Sequence, residues 1–196
     1  MRANGKDDTP GACDDMEALV KNSGLSRDVW PRGNISAMGC RNLVIDGPIL
    51  RDAPAWSCDF GSGCENLSIN NVKIIGMWRY NSDGLDLCAG THYRVTNCFI
   101  RSFDDSIVIR APYHRFDPSE MSDIVVEDCV LWCDWGRTME LGLETECREY
   151  KNITFRNCDV LRGCSVVCDI QNGDRAEVHQ VTFEDIRLEM ESFYTP

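Results

Sequence analysis

The sequence predicts an all-β fold, a right-handed parallel β-helix, on the basis of three observations. A unit of two short apolar strands around a polar bend recurs along most of the chain. These repeats lack the helical period of 3.6 residues in their apolar positions. The bend is occupied by Asn, Asp or Gly, the residues that best tolerate a left-handed backbone. A strand unit repeated at this spacing is typical of a solenoid.

Six copies of the unit align on the bend residue. The bends are Gly47, Asn71, Asn97, Asp128, Asn157 and Asp185, in steps of 24, 26, 31, 29 and 28 residues. A third strand with alternating apolar residues fits between successive bends, at 56–60, 85–88, 106–110, 139–143 and 165–169. We therefore expect about six coils and three parallel sheets. Leucine-rich repeats, the competing solenoid, are disfavoured because the Leu-x-x-Leu-x-Leu consensus is missing.

The repeats divide the chain into two parts. Residues 34–196 are predicted to form the β-helix domain. Residues 1–33 are predicted to be an irregular N-terminal segment, which is either a cap or the remnant of a longer chain. Within it, residues 14–21 have the pattern of two helical turns that begin at an Asp pair.

Composition excludes several classes of partner. The formal net charge of -12 argues against nucleic acid, because phosphate binding requires clustered Lys and Arg. No segment has the roughly 20 apolar residues of a membrane span. The N-terminus lacks the apolar run of a signal peptide, so the chain is expected to be cytoplasmic if it is complete. We expect a monomer.

The 12 cysteines are predicted to be buried, reduced thiols. Cys98, Cys129 and Cys158 each follow Asn or Asp at the same point of successive repeats, which indicates a ladder inside the solenoid. Two pairs of cysteines have a spacing that zinc ligands can have, but neither a Cys-x-x-Cys pair nor clustered histidines accompany them. We expect no metal and no cofactor.

Two acidic clusters lie one coil apart. Asn81-Ser82-Asp83-Gly84 holds one carboxylate, and Phe103-Asp104-Asp105-Ser106 holds two more, with Asp83 and Asp104 separated by 21 residues. Paired carboxylates are what a two-carboxylate glycosidase requires. The competing interpretation is that these residues only cap turns, as Asp and Asn often do.

These motifs resemble the family 28 glycoside hydrolases, the polygalacturonase-like enzymes with the pectin-lyase β-helix fold. The stretch 40–47 is similar to the family pattern C-x-N-hydrophobic-x-I-x-G, and the stretch 52–56 is similar to N-S-P-x-W. Asn81-Ser82-Asp83-Gly84 resembles N-T-D-G, and Phe103-Asp104-Asp105-Ser106 resembles G-D-D-C. The four matches occur in order within the repeat.

The resemblance implies an inverting glycosidase with a carbohydrate as its partner. Asp104 would protonate the leaving glycosidic oxygen, and Asp83 and Asp105 would hold and deprotonate the attacking water. Chemistry agrees with this assignment. Mutual repulsion among three clustered carboxylates raises the pKa of one of them, which can then act as an acid near neutral pH.

The chain departs from the family at two motifs. Gly136-Arg137-Thr138 stands where the family has Gly-His-Gly, and Val167-Cys168-Asp169 stands where it has Arg-Ile-Lys. A carboxylate substrate would face Glu140 and Asp169, which should repel it. We therefore expect a neutral sugar, or a uronide bound in a different geometry, rather than the pectin backbone.

The remaining candidates for substrate contact are Arg137, Trp135 and Tyr80. Arg137 can bind an anionic group or pair with a neighbouring glutamate, and the aromatic rings can stack on sugar faces. Two alternatives to the hydrolase stay open. One is a calcium-dependent polysaccharide lyase, and the other is a non-catalytic carbohydrate-binding β-helix or fragment.

Overall fold

The structure is a computed structural model that describes residues 33–61, 63–112 and 120–190. Within these ranges the chain forms 17 strands, and every pairing between them is parallel. The fold is the predicted right-handed parallel β-helix, with about five turns where we expected about six coils. No helix in the described ranges could cross a membrane. The two helical turns predicted for 14–21, like nearly all of the segment 1–33, lie outside these ranges.

One sheet of six strands carries the acidic residues, and we call it the site sheet. Its order is β1 (Ile35–Met38), β4 (Cys58–Gly61), β7 (Leu85–Cys88), β10 (Ile107–Ala111), β13 (Met139–Thr145) and β15 (Cys168–Ile170). Five of these strands overlap the stretches predicted for the third strand of each coil. The prediction for 85–88 is confirmed to the residue.

The second sheet has 11 strands and covers the other two faces of the solenoid. One face holds β2 (Arg41–Asp46), β5 (Cys64–Asn70), β8 (Gly90–Thr96) and β11 (Glu120–Glu127), and the other holds β3 (Ile49–Arg51), β6 (Lys73–Ile75), β9 (Phe99–Ser102) and β12 (Val130–Cys133). The 15-residue β14 (Glu149–Gly163) turns the corner between these faces and pairs with both β11 and β12. β16 (Glu177–Val178) and β17 (Val181–Met190) pair with β14. The three predicted faces are therefore present, but two of them form one continuous hydrogen-bonded sheet.

The corner residues adopt the left-handed backbone that the sequence predicts. All six predicted bends have positive φ, between 49° at Asn157 and 86° at Gly47. A second row of positive φ, which the sequence analysis missed, comprises Asn42, Asn66, His92, Asp123, Asn152 and Gln180. Side-chain amides link successive turns. For example, Asn97 Nδ2 donates to Asn70 Oδ1 at 2.9 Å, and Asn152 Nδ2 donates to Asp123 Oδ1 at 3.0 Å.

The interior is a stack of apolar side chains, one layer per turn. Isoleucine, leucine, valine and phenylalanine fill most positions, and Phe155 stacks on Phe183 with ring centroids 5.1 Å apart. Cys98, Cys129 and Cys158 are buried in this interior, as the sequence predicts, but Cys168 is exposed and Cys40 and Cys164 are partly exposed, so the prediction that every cysteine is buried is wrong. Each fully buried aliphatic side chain stabilises the fold by about 1.5–3 kcal/mol. This core holds the strands of the site sheet in a fixed register.

The bend at Asn97 provides a test of the corner geometry. Asn97→Ala places at φ 54° a residue that disfavours the left-handed backbone, and it removes the hydrogen bond to Asn70. We expect it to lower the free energy of unfolding by about 1–2 kcal/mol. Asn97→Gly removes the same bond but tolerates the backbone, so its cost should be smaller. Denaturant titration of both variants measures the difference, and an equal loss would contradict the backbone argument.

Candidate active site

The three predicted catalytic aspartates lie together at the start of two neighbouring strands of the site sheet. Leu85 of β7 pairs with Ile107 of β10, and the Gly84 N–H donates to the Asp105 carbonyl at 2.8 Å. The register therefore brings the turn that carries Asp83 next to the turn that carries Asp104 and Asp105. Asp83 is 3% exposed, and Asp104 and Asp105 are each 7% exposed. Three acids are thus gathered in one largely desolvated cluster.

Arg110 lies in the middle of this cluster, and the sequence analysis assigned it no role. Its Nη2 is 3.4 Å from Asp83 Oδ2, 3.1 Å from Asp86 Oδ1 and 3.5 Å from Asp105 Oδ2. Its Nη1 is 3.5 Å from Glu144 Oε2. The signal that could have found it is the alternation along β10. Ile107 and Ile109 belong to the core, so Arg110 should point to the face that Asp83 and Asp105 flank.

Asp104 has the properties of a general acid near neutral pH. Burial, followed by the charge of Asp105, raises its pKa to about 7, although the Asn81 backbone N–H opposes the shift by donating to the carboxylate. Gly136 lies against it. A Cβ at that position would be 2.5 Å from Asp104 Oδ1 and 2.6 Å from the Asp105 backbone nitrogen. The turn after β12 can therefore approach the acid only because residue 136 has no side chain.

Asp105 has three polar neighbours. It faces Arg110, and its Oδ1 accepts a hydrogen bond from the Arg137 backbone N–H at 2.8 Å. Glu140 contacts it as well. Burial and the charge of Asp105 raise the pKa of Glu140 to about 8, and the two carboxyl groups share a hydrogen bond. The raised pKa favours the protonated form of Glu140, so its O–H is the donor of that hydrogen bond.

Asp83 differs from Asp105 in its surroundings. Burial, and then the charges of Asp86 and Asp104, raise the pKa of Asp83 well above its usual range, while Arg110 opposes the shift. Its Oδ2 faces Arg110, and its Oδ1 has no hydrogen-bond partner among the described residues. The cluster thus places three aspartates in three different electrostatic environments.

Aromatic rings border the acid on one side. Tyr80 and Trp135 are each 38% exposed, with ring centroids 5.5 Å apart, and Trp135 stacks on Phe103 with centroids 6.0 Å apart. Phe103 immediately precedes Asp104. The two aromatic residues selected from the sequence are therefore brought together beside the proposed acid.

Arg137 and Asp169 form an ion pair on the next coils. Arg137 Nε is 3.3 Å from Asp169 Oδ2 and 4.0 Å from Glu140 Oε1, and Gln171 Nε2 donates to Asp169 Oδ2 at 2.7 Å. The pairing of β13 with β15 sets Glu140 beside Asp169. In the described part of the chain, no group of three or more His, Cys, Asp or Glu is arranged to hold a metal ion.

Comparison with known proteins identifies the family of the chain. The sequence profile described as Glycosyl hydrolases family 28 matches residues 21–195. The chain belongs to family 28 of the glycosyl hydrolases. A curated relative, a polygalacturonase from Juniperus ashei, is 23% identical to this family 28 chain over 157 residues. The match covers 76% of this chain but 28% of the relative, so the chain spans less than a third of that protein's length. No solved structure matches it.

The raised pKa of Asp104 predicts the sign of a pH effect on stability. A folded-state pKa near 7 means that ionising Asp104 costs stability, and the cost grows as the pH rises from about 4 to about 7. Asp104→Asn removes that cost. The free energy of unfolding of Asp104→Asn minus that of wild type should therefore be larger at pH 8 than at pH 4 by on the order of 2–4 kcal/mol, since one pKa unit is about 1.4 kcal/mol.

Asp52→Asn is a control for which the effect of pH on stability has the opposite sign. Hydrogen bonds from Trp78 and Arg79 lower the pKa of Asp52, so its carboxylate stabilises the fold above its usual pKa and loses this effect as the pH falls. Asp52→Asn should therefore be less stable than wild type at pH 8 and approach it at low pH. Denaturant titrations at both pH values measure both variants. If the stability difference between Asp104→Asn and wild type is the same at both pH values, the raised pKa of Asp104 is contradicted.

Proposed function

We propose that this family 28 chain hydrolyses a glycosidic bond with inversion of configuration, using Asp104 as the acid and Asp83 with Asp105 to hold and deprotonate the attacking water. The observation that supports the proposal most directly is the environment of the three aspartates. Asp104 holds its proton near neutral pH, whereas Asp105 is surrounded by an arginine and two hydrogen-bond donors. An inverting glycosidase requires one protonated and one ionised carboxyl group at the same time.

Asp104 acts first on the leaving group. Its carboxyl group donates a proton to the glycosidic oxygen as the bond to the anomeric carbon breaks. A pKa of about 7 leaves a large protonated fraction at neutral pH while keeping the proton transferable. Gly136 and the Asn81 N–H fix the position of the carboxyl group.

Asp105 receives the proton of the water, and Asp83 holds that water. The guanidinium of Arg110, the Arg137 N–H and the Glu140 carboxyl group all stabilise the negative charge of Asp105. Asp83 Oδ1 is buried and free to accept a hydrogen bond. The water attacks the anomeric carbon from the face opposite the leaving group, which inverts the configuration.

The aromatic pair forms the wall of a sugar subsite in this proposal. Tyr80 and Trp135 present partly exposed rings beside Asp104, and such rings pack on the apolar faces of sugars. Because Asp104 contacts the leaving oxygen, the sugar that stacks on Trp135 is the leaving-group unit.

The charge of the cleft favours an uncharged sugar at the cleaved bond. Arg110 is occupied by four carboxylates, and Arg137 is paired with Asp169. Glu140 lies beneath this pair, between Asp105 and Asp169. A uronate would therefore have to displace an internal carboxylate to reach either guanidinium, which disfavours it relative to a neutral ring.

Loss of the acid tests the reaction. Asp104→Asn should lower kcat by roughly 10²–10⁴-fold on whichever member of a panel of neutral and uronic oligosaccharides the wild-type chain cleaves. The assay is release of reducing ends, and NMR of the first product identifies its anomer. Asp123→Asn, a matched change on a different face of the solenoid, should keep full activity. Unchanged activity in Asp104→Asn, a retained anomer or an unsaturated product lost with a chelator would each contradict the proposal.

Release of Arg137 tests the substrate preference. Asp169→Asn removes the partner of Arg137 at nearly constant volume, so the guanidinium can pair with a substrate carboxylate. Inhibition by a uronic oligosaccharide should then strengthen by roughly tenfold, about 1.4 kcal/mol, while inhibition by its neutral counterpart changes little. In the double variant Asp169→Asn with Arg137→Gln the gain should disappear. Equal effects on both ligands would show that the ion pair does not set the preference.

A further inference from the structure

Arg110 is a largely buried cation. Its side chain is 9% exposed, and its guanidinium lies 4.6 Å from the centre of the Trp56 ring. An arginine stays protonated in a protein interior, so it is a permanent positive charge. Burying it is favourable only if the surrounding carboxylates compensate for the lost hydration.

The groups that face Arg110 come from every neighbouring element. The turn before β7 contributes Asp83, β7 contributes Asp86 and Cys88, the turn before β10 contributes Asp105, and β13 contributes Glu144. Glu140 and Tyr150 are within electrostatic range of the guanidinium. The set contains more acids than one arginine can neutralise, and the closest of them to Nη2 is Asp86, at 3.1 Å.

One guanidinium nitrogen joins the two residues that handle the water. Nη2 contacts Asp83 through Oδ2 and Asp105 through Oδ2. The second carboxyl oxygens of the two residues, Oδ1 in each case, differ in their hydrogen-bond partners. Asp105 Oδ1 accepts the Arg137 N–H, whereas Asp83 Oδ1 has no hydrogen-bond partner in the described ranges. The bridge therefore fixes the relative orientation of both carboxylates and leaves one oxygen of Asp83 for a ligand.

We propose that Arg110 is a positioning residue that holds the carboxyl groups of Asp83 and Asp105 together through a single guanidinium nitrogen. This inference rests on the proposed function of Asp83, Asp104 and Asp105. The permanent charge of Arg110 faces Asp83, Asp86 and Asp105, whereas Asp104 lies outside ion-pair distance of it in the described structure.

Two substitutions separate the charge of Arg110 from its geometry. Arg110→Gln removes the charge, so the acidic limb of the pH profile of kcat/KM should move up by roughly one unit or more, since an adjacent cation lowers a carboxyl pKa by about 1–3 units. Arg110→Lys keeps the charge but has a single nitrogen on a shorter side chain, so it cannot hold Glu144 through one nitrogen and Asp83 with Asp105 through another. Its acidic limb should stay near that of wild type while kcat falls by at least roughly tenfold.

The same pH profiles of kcat/KM provide the control and the outcomes that would contradict the proposal. Arg94→Gln removes an exposed arginine on β8 and should leave both limbs unchanged. An unmoved acidic limb in folded Arg110→Gln, with Asp104→Asn still inactive, would overturn the role of Arg110 and leave the hydrolase proposal standing. If Arg110→Gln does not fold, a wild-type kcat in Arg110→Lys would overturn the role equally.

A readout that does not need turnover separates the two proposals. Carboxyl-carbon NMR counts the aspartates that remain protonated between pH 5 and pH 7. Arg110→Gln should retain about one more protonated carboxyl group than wild type in this interval, because the carboxyl groups that face Arg110 lose their cation. An identical count would overturn the inference about Arg110 whether or not a substrate has been found. A higher count combined with full activity in Asp104→Asn would instead support the charge argument and contradict the proposed reaction.

Discussion

The parallel register of the site sheet is the constraint on which the rest of the structure depends. Each turn of the solenoid returns the chain to the same face, so side chains about 20–30 residues apart in sequence become neighbours. Leu85 beside Ile107, and Ile107 beside Met139, place the turns that carry Asp83, Asp105 and Arg137 in one line. A shift of one residue in any of these pairings would turn the acids toward the core. The apolar layers inside the solenoid prevent that shift, and so the site is an outcome of core packing.

The same register also places several acidic side chains next to one another. Asp59, Asp86, Glu140 and Asp169 occupy the same row of the site sheet, with Val108 between the second and the third. Adjacent buried acids cannot all ionise at the same pH, so their pKa values differ from one another. The pKa of Asp104 is raised to about 7 and that of Glu140 to about 8, while Asp105 contacts Arg110 and accepts a hydrogen bond from the Arg137 N–H. In the proposed reaction the raised pKa of Asp104 suits it to the role of the acid, and the apolar core offsets the stability that packing like charges together costs.

The sequence predicts the fold more completely than the site. The bends could be located because Asn, Asp and Gly in left-handed corners recur at each turn, and all six have positive φ. The single sheet joined by β14 could not be foreseen, because nothing in the sequence of 149–163 signals that the corner keeps its hydrogen bonds. Asp83, Asp104 and Asp105 could be selected because they lie in adjacent turns with a recognisable pattern. Arg110 was missed because the alternation along β10 places it on the outer face but does not show its contacts with Asp83, Asp86 and Glu144, which come from other elements.

In the proposed function, the pairing of Arg137 sets the substrate preference and leaves the proposed catalytic acids unchanged. Arg137 lies beside the cleft, and what it offers to a ligand depends on Asp169, which comes from the following coil. A free guanidinium would attract an anionic sugar, whereas a guanidinium already paired presents a donor and an acceptor side by side and suits hydroxyl groups. Arg110 lies deeper and is paired with the carboxyl groups of Asp83 and Asp105. In the two proposals the buried Arg110 therefore positions these carboxyl groups, and the half-exposed Arg137 contacts the substrate.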